Sequence, residues 1–138
     1  MSTQSTSTPI LTGGCLCGAV RYRISGEPVW AGNCHCSLCR RSSGAPYMSW
    51  LAVPTTTFSL TQGEVVLYGS SDRAERGRCP ACGTQLLFKP KARPESTGVT
   101  ISSLDQPGAV RPTEHIFWDD RIPGLIGMDD LPKRAKRT

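Results

Sequence analysis

Between Gly, Pro and Ser punctuation, short stretches rich in β-branched and aromatic residues recur along this chain, many of them alternating polar with apolar positions. They are AVRYRI at 19–24, PYMSWLAV at 46–53, EVVLYG at 64–69, TQLLFK at 84–89, GVTISSL at 98–104 and EHIFW at 114–118. A period of two turns one set of side chains inward and leaves the other wet, which is the pattern of a half-buried strand. In EHIFW this alternation places Ile116 and Trp118 on one face and His115 and Phe117 on the other. One segment, SLCRRSSG at 37–44, reads as a helical turn, too short to stand without a tether. Eleven prolines and fourteen glycines suit many tight turns. The pattern predicts an all-β or β-rich domain.

The ends do not share this pattern. Residues 1–11 read as a flexible lead-in, 12–132 as a single domain, and 133–138 as a basic, solvated tail. A chain of 138 residues has the size of one domain, able to bury roughly 65–70 % of its unfolded surface. Its apolar fraction of 38 % is modest, so the core is thin and a metal is the natural reinforcement. No stretch approaches the ~18–20 apolar residues of a membrane span, and MSTQSTSTPI has neither the charged start nor the apolar run of a secretory signal. The expectation is a soluble, cytoplasmic protein with no membrane partner.

Seven cysteines in a reducing compartment do not make a disulfide framework, and an odd count would leave one over. They fall into three groups: Cys15 and Cys17 in GGCLCGAV, Cys34, Cys36 and Cys39 in NCHCSLC, and Cys79 and Cys82 in RCPACGTQL. CPACG is a zinc-knuckle half-site, in which Gly83 can take the geometry that turns amide N–H groups toward a sulfur. A closed tetrahedral site needs two more ligands. Cys15 and Cys17 face the same way in an extended segment, and Gly13, Gly14 and Gly18 permit close backbone approach. Pairing the two would close a loop of roughly 60 residues.

The remaining three thiols are the arrangement of a zinc site with one position open. Three thiolates around Zn²⁺ carry a net −1, a poor setting for acidifying water and a better one for accepting a thiol. An inert second structural zinc and a redox-active triplet are the competing readings. His35 alternates with Cys34 and Cys36 and so points away from their shared metal, toward a supporting or pocket role. Arg40 and Arg41 follow the triplet, and a guanidinium there can lower thiol pKa values or hold a substrate carboxylate. His115 reads as a core or edge histidine with a pocket role as the alternative, and Asp105 as a turn residue accepting backbone N–H bonds.

The formal charge of +5 invites a nucleic-acid reading. Ionising seven thiols against two Zn²⁺ ions lowers it to about +2. Lys133, Arg134, Lys136 and Arg137 crowd the tail, which has no aromatic side chain to stack on a base. Nucleic acid is not the expected partner. No phosphate loop or dinucleotide fingerprint occurs, so phosphoryl and hydride transfer are unsupported.

GGCLCGAVRY, CHCSLCRRSSGA, CPACGTQL, SSLD and PTEHIFWDDR resemble the glutathione-dependent formaldehyde-activating enzyme family, also called the centromere protein V family, over roughly residues 12–132. The resemblance implies a β-tent fold of small antiparallel sheets gathered around a zinc. It implies a structural zinc on Cys15, Cys17, Cys79 and Cys82, and a catalytic zinc on Cys34, Cys36 and Cys39. The implied activity is a carbon–sulfur lyase reaction run in reverse, joining formaldehyde to glutathione as S-hydroxymethylglutathione. His35 or Arg40 then stabilises the developing oxyanion. A homodimer is compatible with this reading. The alternative is a non-catalytic two-zinc module binding a protein, a thiol metabolite or nucleic acid. Two departures stand out: the chain is shorter than the family's glutathione enzyme, and DDRIPGLIGMDDLP lacks the tryptophan that many relatives carry at about Gly124. If that ring lines a substrate pocket, this pocket is wider or takes another ligand.

Overall fold

The computed structural model describes residues 10–125 and 130–136. The lead-in through residue 9 and the end of the basic tail, Arg137 and Thr138, lie outside the described residues, as do 126–129 within the stretch that departs from the family pattern.

Among the described residues, ten strands and one α-helix follow in order: β1 (Leu11–Gly14), β2 (Arg21–Ile24), β3 (Trp30–Cys34), α1 (Ser37–Ser43), β4 (Met48–Pro54), β5 (Phe58–Gln62), β6 (Val66–Ser71), β7 (Ala74–Arg78), β8 (Gln85–Pro90), β9 (Ser96–Thr100) and β10 (His115–Ile116). They form a three-stranded sheet, β1-β2-β5, and a seven-stranded sheet, β10-β3-β4-β9-β8-β7-β6. Neighbours are antiparallel except β10 against β3. The fold is β-rich, as the alternation predicts. α1 is the predicted helical turn and ends at Gly44 in the left-handed conformation, φ 71°.

Two predicted strands are cut short. GVTISSL leaves the sheet after Thr100 and coils into a 3₁₀ turn, Ile101–Ser103. EHIFW pairs through His115 and Ile116 alone, because Phe117 turns to φ 53° and leads into another 3₁₀ turn, Trp118–Asp120. That turn ends the alternation. The rings of His115 and Trp118 therefore stand 4.9 Å apart instead of on opposite faces.

The main core joins both sheets through Val20, Tyr22, Ile24, Leu51, Val53, Leu86, Leu87 and Val99, with the sulfurs of Cys15 and Cys79 at its edge. A separate apolar cluster holds Cys34, Cys39, Met48 and Trp50, packed by Trp30, Cys36, Phe88 and Ile116. The two cysteine groups thus belong to different parts of the interior.

Asp105 differs from its expected role. Its carboxylate takes side-chain donors, both Nη atoms of Arg21 and the Thr12 hydroxyl, while its own N–H bonds the Thr12 carbonyl. The Arg21 hydrogen bond, then that of Thr12, holds the carboxyl below its ordinary value. β1 and β2 present these groups side by side, which the local sequence around Asp105 could not reveal.

Gly13 is pressed against this junction. A Cβ there would lie 2.4 Å from Tyr22 Oη and 2.5 Å from the Ser103 carbonyl oxygen. Tyr22 is buried and hydrogen-bonded to the Ser103 hydroxyl at 2.6 Å, so it has little room to yield. Gly13→Ala is expected to destabilise the protein by about 2 kcal/mol and to lower the melting temperature by several degrees. An unchanged melting curve would contradict this packing.

Candidate metal centres and active site

The turn after β1 carries Cys15 and Cys17, and the link from β7 to β8 carries Cys79 and Cys82, so one group draws on both sheets. All four sulfurs lie within 4.8 Å of one another. The separations Cys15–Cys17 and Cys17–Cys79 are 3.7 and 3.8 Å. A tetrahedron with zinc–sulfur bonds of about 2.3 Å has an edge of about 3.8 Å, so the donor set fits zinc. The knuckle is formed as its spacing requires: the N–H groups of Ala81 and Cys82 point at Cys79 Sγ from 3.3 and 3.4 Å, and Gly83 sits at φ 81°. On the other half, the Val20 N–H lies 3.2 Å from Cys15 Sγ.

Thr84 completes this group and has no signal in the sequence. Its hydroxyl lies 3.1 Å from Cys82 Sγ and accepts the Leu16 N–H at 3.0 Å, linking the two halves. The Thr84 hydroxyl and then its backbone N–H are the leading causes that bring the Cys82 thiol down to about 5. Such donors favour the thiolate that a metal needs.

The second group is built where β3 runs into α1. Cys34 ends β3, Cys36 is the N-cap of α1 and accepts the Cys39 N–H at 3.3 Å, and Cys39 lies one turn into the helix. Their sulfurs also fall within 4.8 Å of one another, so these three can hold a metal ion too. No fourth His, Cys, Asp or Glu joins them among the described residues. The Cys34 hydrogen bond is the first cause that lowers Cys39 to about 5, and Trp50 and Arg76 add to it against the opposing effect of burial.

His35 is fully buried and stands outside this sulfur cluster. Its Nε2 lies 2.9 Å from Nδ1 of the exposed His115, and its Nδ1 is buried without a partner. Burial first, then His115 and Arg121, lower its pKa, so the imidazole is neutral at pH 7. Tyr47 and Trp118 pack on its ring at 4.8 and 5.1 Å, and Arg121 covers Trp118 at 4.4 Å. Arg40 is half-buried on α1 with its Nε lacking a partner, while Arg41 is exposed. Gly124 lies in an exposed turn at φ 76°, and Trp118 is the tryptophan packed on the His35 ring.

A cavity of about 550 Å³ runs from Cys15 and Leu16 past Thr84 and Gln85 to Ser43, Tyr47 and Ser103. No charged side chain lines it, and Cys34, Cys36 and Cys39 do not form its wall.

The family model of the glutathione-dependent formaldehyde-activating enzyme matches residues 10–120, which takes in both cysteine groups. The chain belongs to this family. A relative of this formaldehyde-activating enzyme family member, an "Uncharacterized lyase" of Schizosaccharomyces pombe, is 35 % identical over 80 residues, covering 58 % of this chain and 58 % of that protein. A "Putative glutathione-dependent formaldehyde-activating enzyme" of Halomonas elongata is 32 % identical over 118 residues, covering 78 % of this chain and 73 % of its own. The chain thus spans little more than half of the first relative's length. A crystal structure of a Rhodobacter sphaeroides protein superposes with a TM-score of 0.59 at 25 % identity, over 75 % of this chain and 98 % of that one. Among the described residues, no helix of this family member is long and apolar enough to cross a membrane.

Proposed function

We propose that this protein is a carbon–sulfur lyase acting on adducts of a thiol with a small aldehyde, with S-(hydroxymethyl)glutathione as the reference adduct. In this reading Cys34, Cys36 and Cys39 form the reaction centre, and Cys15, Cys17, Cys79 and Cys82 hold a structural zinc. The observation that carries it is the convergence of three sulfurs, with no fourth ligand among the described residues, beside the contact between buried His35 and exposed His115.

Cys34, Cys36 and Cys39 would hold the zinc, which when bound would supply a Lewis acid favouring the ionised form of a substrate thiol. In the synthetic direction the thiol sulfur bonds to the aldehyde carbon, the carbonyl π pair moves to oxygen, and the thiol proton ends on that oxygen. The lyase direction reverses each of these. His115 moves the proton at Nε2 while His35, neutral and buried, fixes its ring through Nδ1. This assignment prefers the exposed histidine to His35 as the group that meets substrate. Tyr47 and Trp118 keep water from the buried ring, and Arg40 is the candidate partner for a substrate carboxylate. The working unit is the single domain 12–132, acting in the cytoplasm on small molecules.

Thiols add to formaldehyde unaided, so the test is a rate. Exchange NMR on an equilibrium mixture of glutathione and formaldehyde should show exchange at least about 100-fold faster with zinc-loaded protein than without it, the size of one proton-transfer contribution. An unchanged rate would remove this pair as substrates.

A further inference from the structure

Arg76 is a charged side chain placed in the interior by a strand that does not look like one. β7 reads AERGR, yet it is an inner strand of the large sheet, between β6 and β8. Arg76 is 4 % exposed. Its two Nη atoms lie 3.7 and 3.6 Å from Cys39 Sγ, and its guanidinium carbon sits 5.2 Å from the centre of the Phe88 ring. The Nε has no partner. Among the described residues the salt bridge is Arg21 with Asp105, so no carboxylate compensates Arg76.

A guanidinium does not deprotonate in a protein, and a buried charge requires a counter-charge. The sulfur of Cys39 is the acceptor on which both Nη atoms converge. Three thiolates around a divalent ion leave one negative charge. Arg76 is the fixed positive charge beside it, and Phe88 with Trp50, 5.8 Å apart, encloses the contact.

We propose that Arg76 is a positioning residue for the three-cysteine centre: its guanidinium neutralises the net charge of the metal-loaded centre and fixes the direction of the Cys39 sulfur. The proposal rests on metal ligation by Cys34, Cys36 and Cys39, and not on the identity of the thiol or aldehyde. A metal is ligated by the thiolate form, and two cationic N–H donors converging on one sulfur favour that form, so a fixed cation at Cys39 favours the loaded state. Donation into the sulfur also draws electron density from it, which identifies Cys39 as a retained ligand rather than a nucleophile.

The test uses the full chain with zinc, comparing wild type with Arg76→Gln, Arg76→Met and Arg76→Lys. Competition with a chelator gives an affinity for each zinc, and the four-cysteine site serves as the internal control. In Arg76→Gln and Arg76→Met, one zinc should bind about 10- to 100-fold more weakly while the other is unchanged, the usual effect of removing a group that supports a ligand. Arg76→Lys, which keeps the charge, should recover part of the loss. If Arg76→Met does not fold, the Lys and Gln pair decides. In the cobalt-substituted protein, the sulfur-to-metal charge-transfer band of the affected site should move to longer wavelength in Arg76→Gln. Equal weakening of both zincs, or Lys behaving like Gln, would overturn the proposal. Unchanged affinities in a wild type that binds two zincs would overturn it alone, whereas a wild type that binds one zinc would overturn the ligation beneath it.

Discussion

Cys82→Ser is expected to abolish the native fold. Cys82 is one of four sulfurs that tie the turn after β1, in the small sheet, to the β7–β8 link in the large one. Loss of one sulfur would leave a zinc at this site three ligands and leaves the Thr84 hydroxyl without its sulfur. A structural zinc contributes on the order of 10 kcal/mol of folding free energy, as much as the entire stability of an ordinary domain. The modest apolar content gives the core little in reserve. Circular dichroism and thermal unfolding check this, with a strong chelator added to wild type as the parallel arm. Both Cys82→Ser and chelated protein should lose the cooperative transition. A Cys82→Ser protein melting within a few degrees of wild type would show that the fold does not depend on this centre.

Cys36→Ser is expected to have the opposite profile, with the fold retained and the proposed lyase activity lost. Cys36 caps α1, where its sulfur accepts the Cys39 N–H. Serine is a stronger N-cap than most residues and its hydroxyl can accept the same N–H, so the helix start survives the change. The surrounding cluster of Cys34, Cys39, Met48 and Trp50 is separate from the main core and keeps its packing. A neutral hydroxyl is a poor zinc ligand beside a thiolate. The variant should hold one zinc, melt within a few degrees of wild type, and leave glutathione–formaldehyde exchange at its uncatalysed rate. A Cys36→Ser protein that unfolds like Cys82→Ser would end the division of labour between the two centres.

Much of this was legible in the chain. CPACG carries its own turn geometry, so the knuckle and its Gly83 follow from five residues, and SLCRRSSG announces a helix capped by Gly44. Of the strands, β2, β4, β6, β8, β9 and β10 overlap the stretches read from alternation, whereas β1, β3 and β5 fall outside them. β7 was not visible either, because Ala74–Arg78 holds three charged residues among five and its burial comes from β6 and β8 on either side. β10 was read too long, since nothing local marks Phe117 for a left-handed turn.

What the sequence determined by itself is therefore the inventory and the local geometry: three cysteine groups, the spacing that lets each converge, a β-rich chain, and a helical turn at the triplet. These are set by covalent spacing and backbone preference over a few residues. The sequence already named Cys15 and Cys17 as partners for Cys79 and Cys82, and the tertiary structure alone decided the other distant meetings: Thr84 with Leu16 and Cys82, His35 with His115, Arg76 with Cys39. Those contacts join residues 37 to 80 positions apart, apart from Thr84 and its neighbour Cys82. They depend on strand order and register, which are fixed by burying both sheets together rather than by any short stretch of the chain.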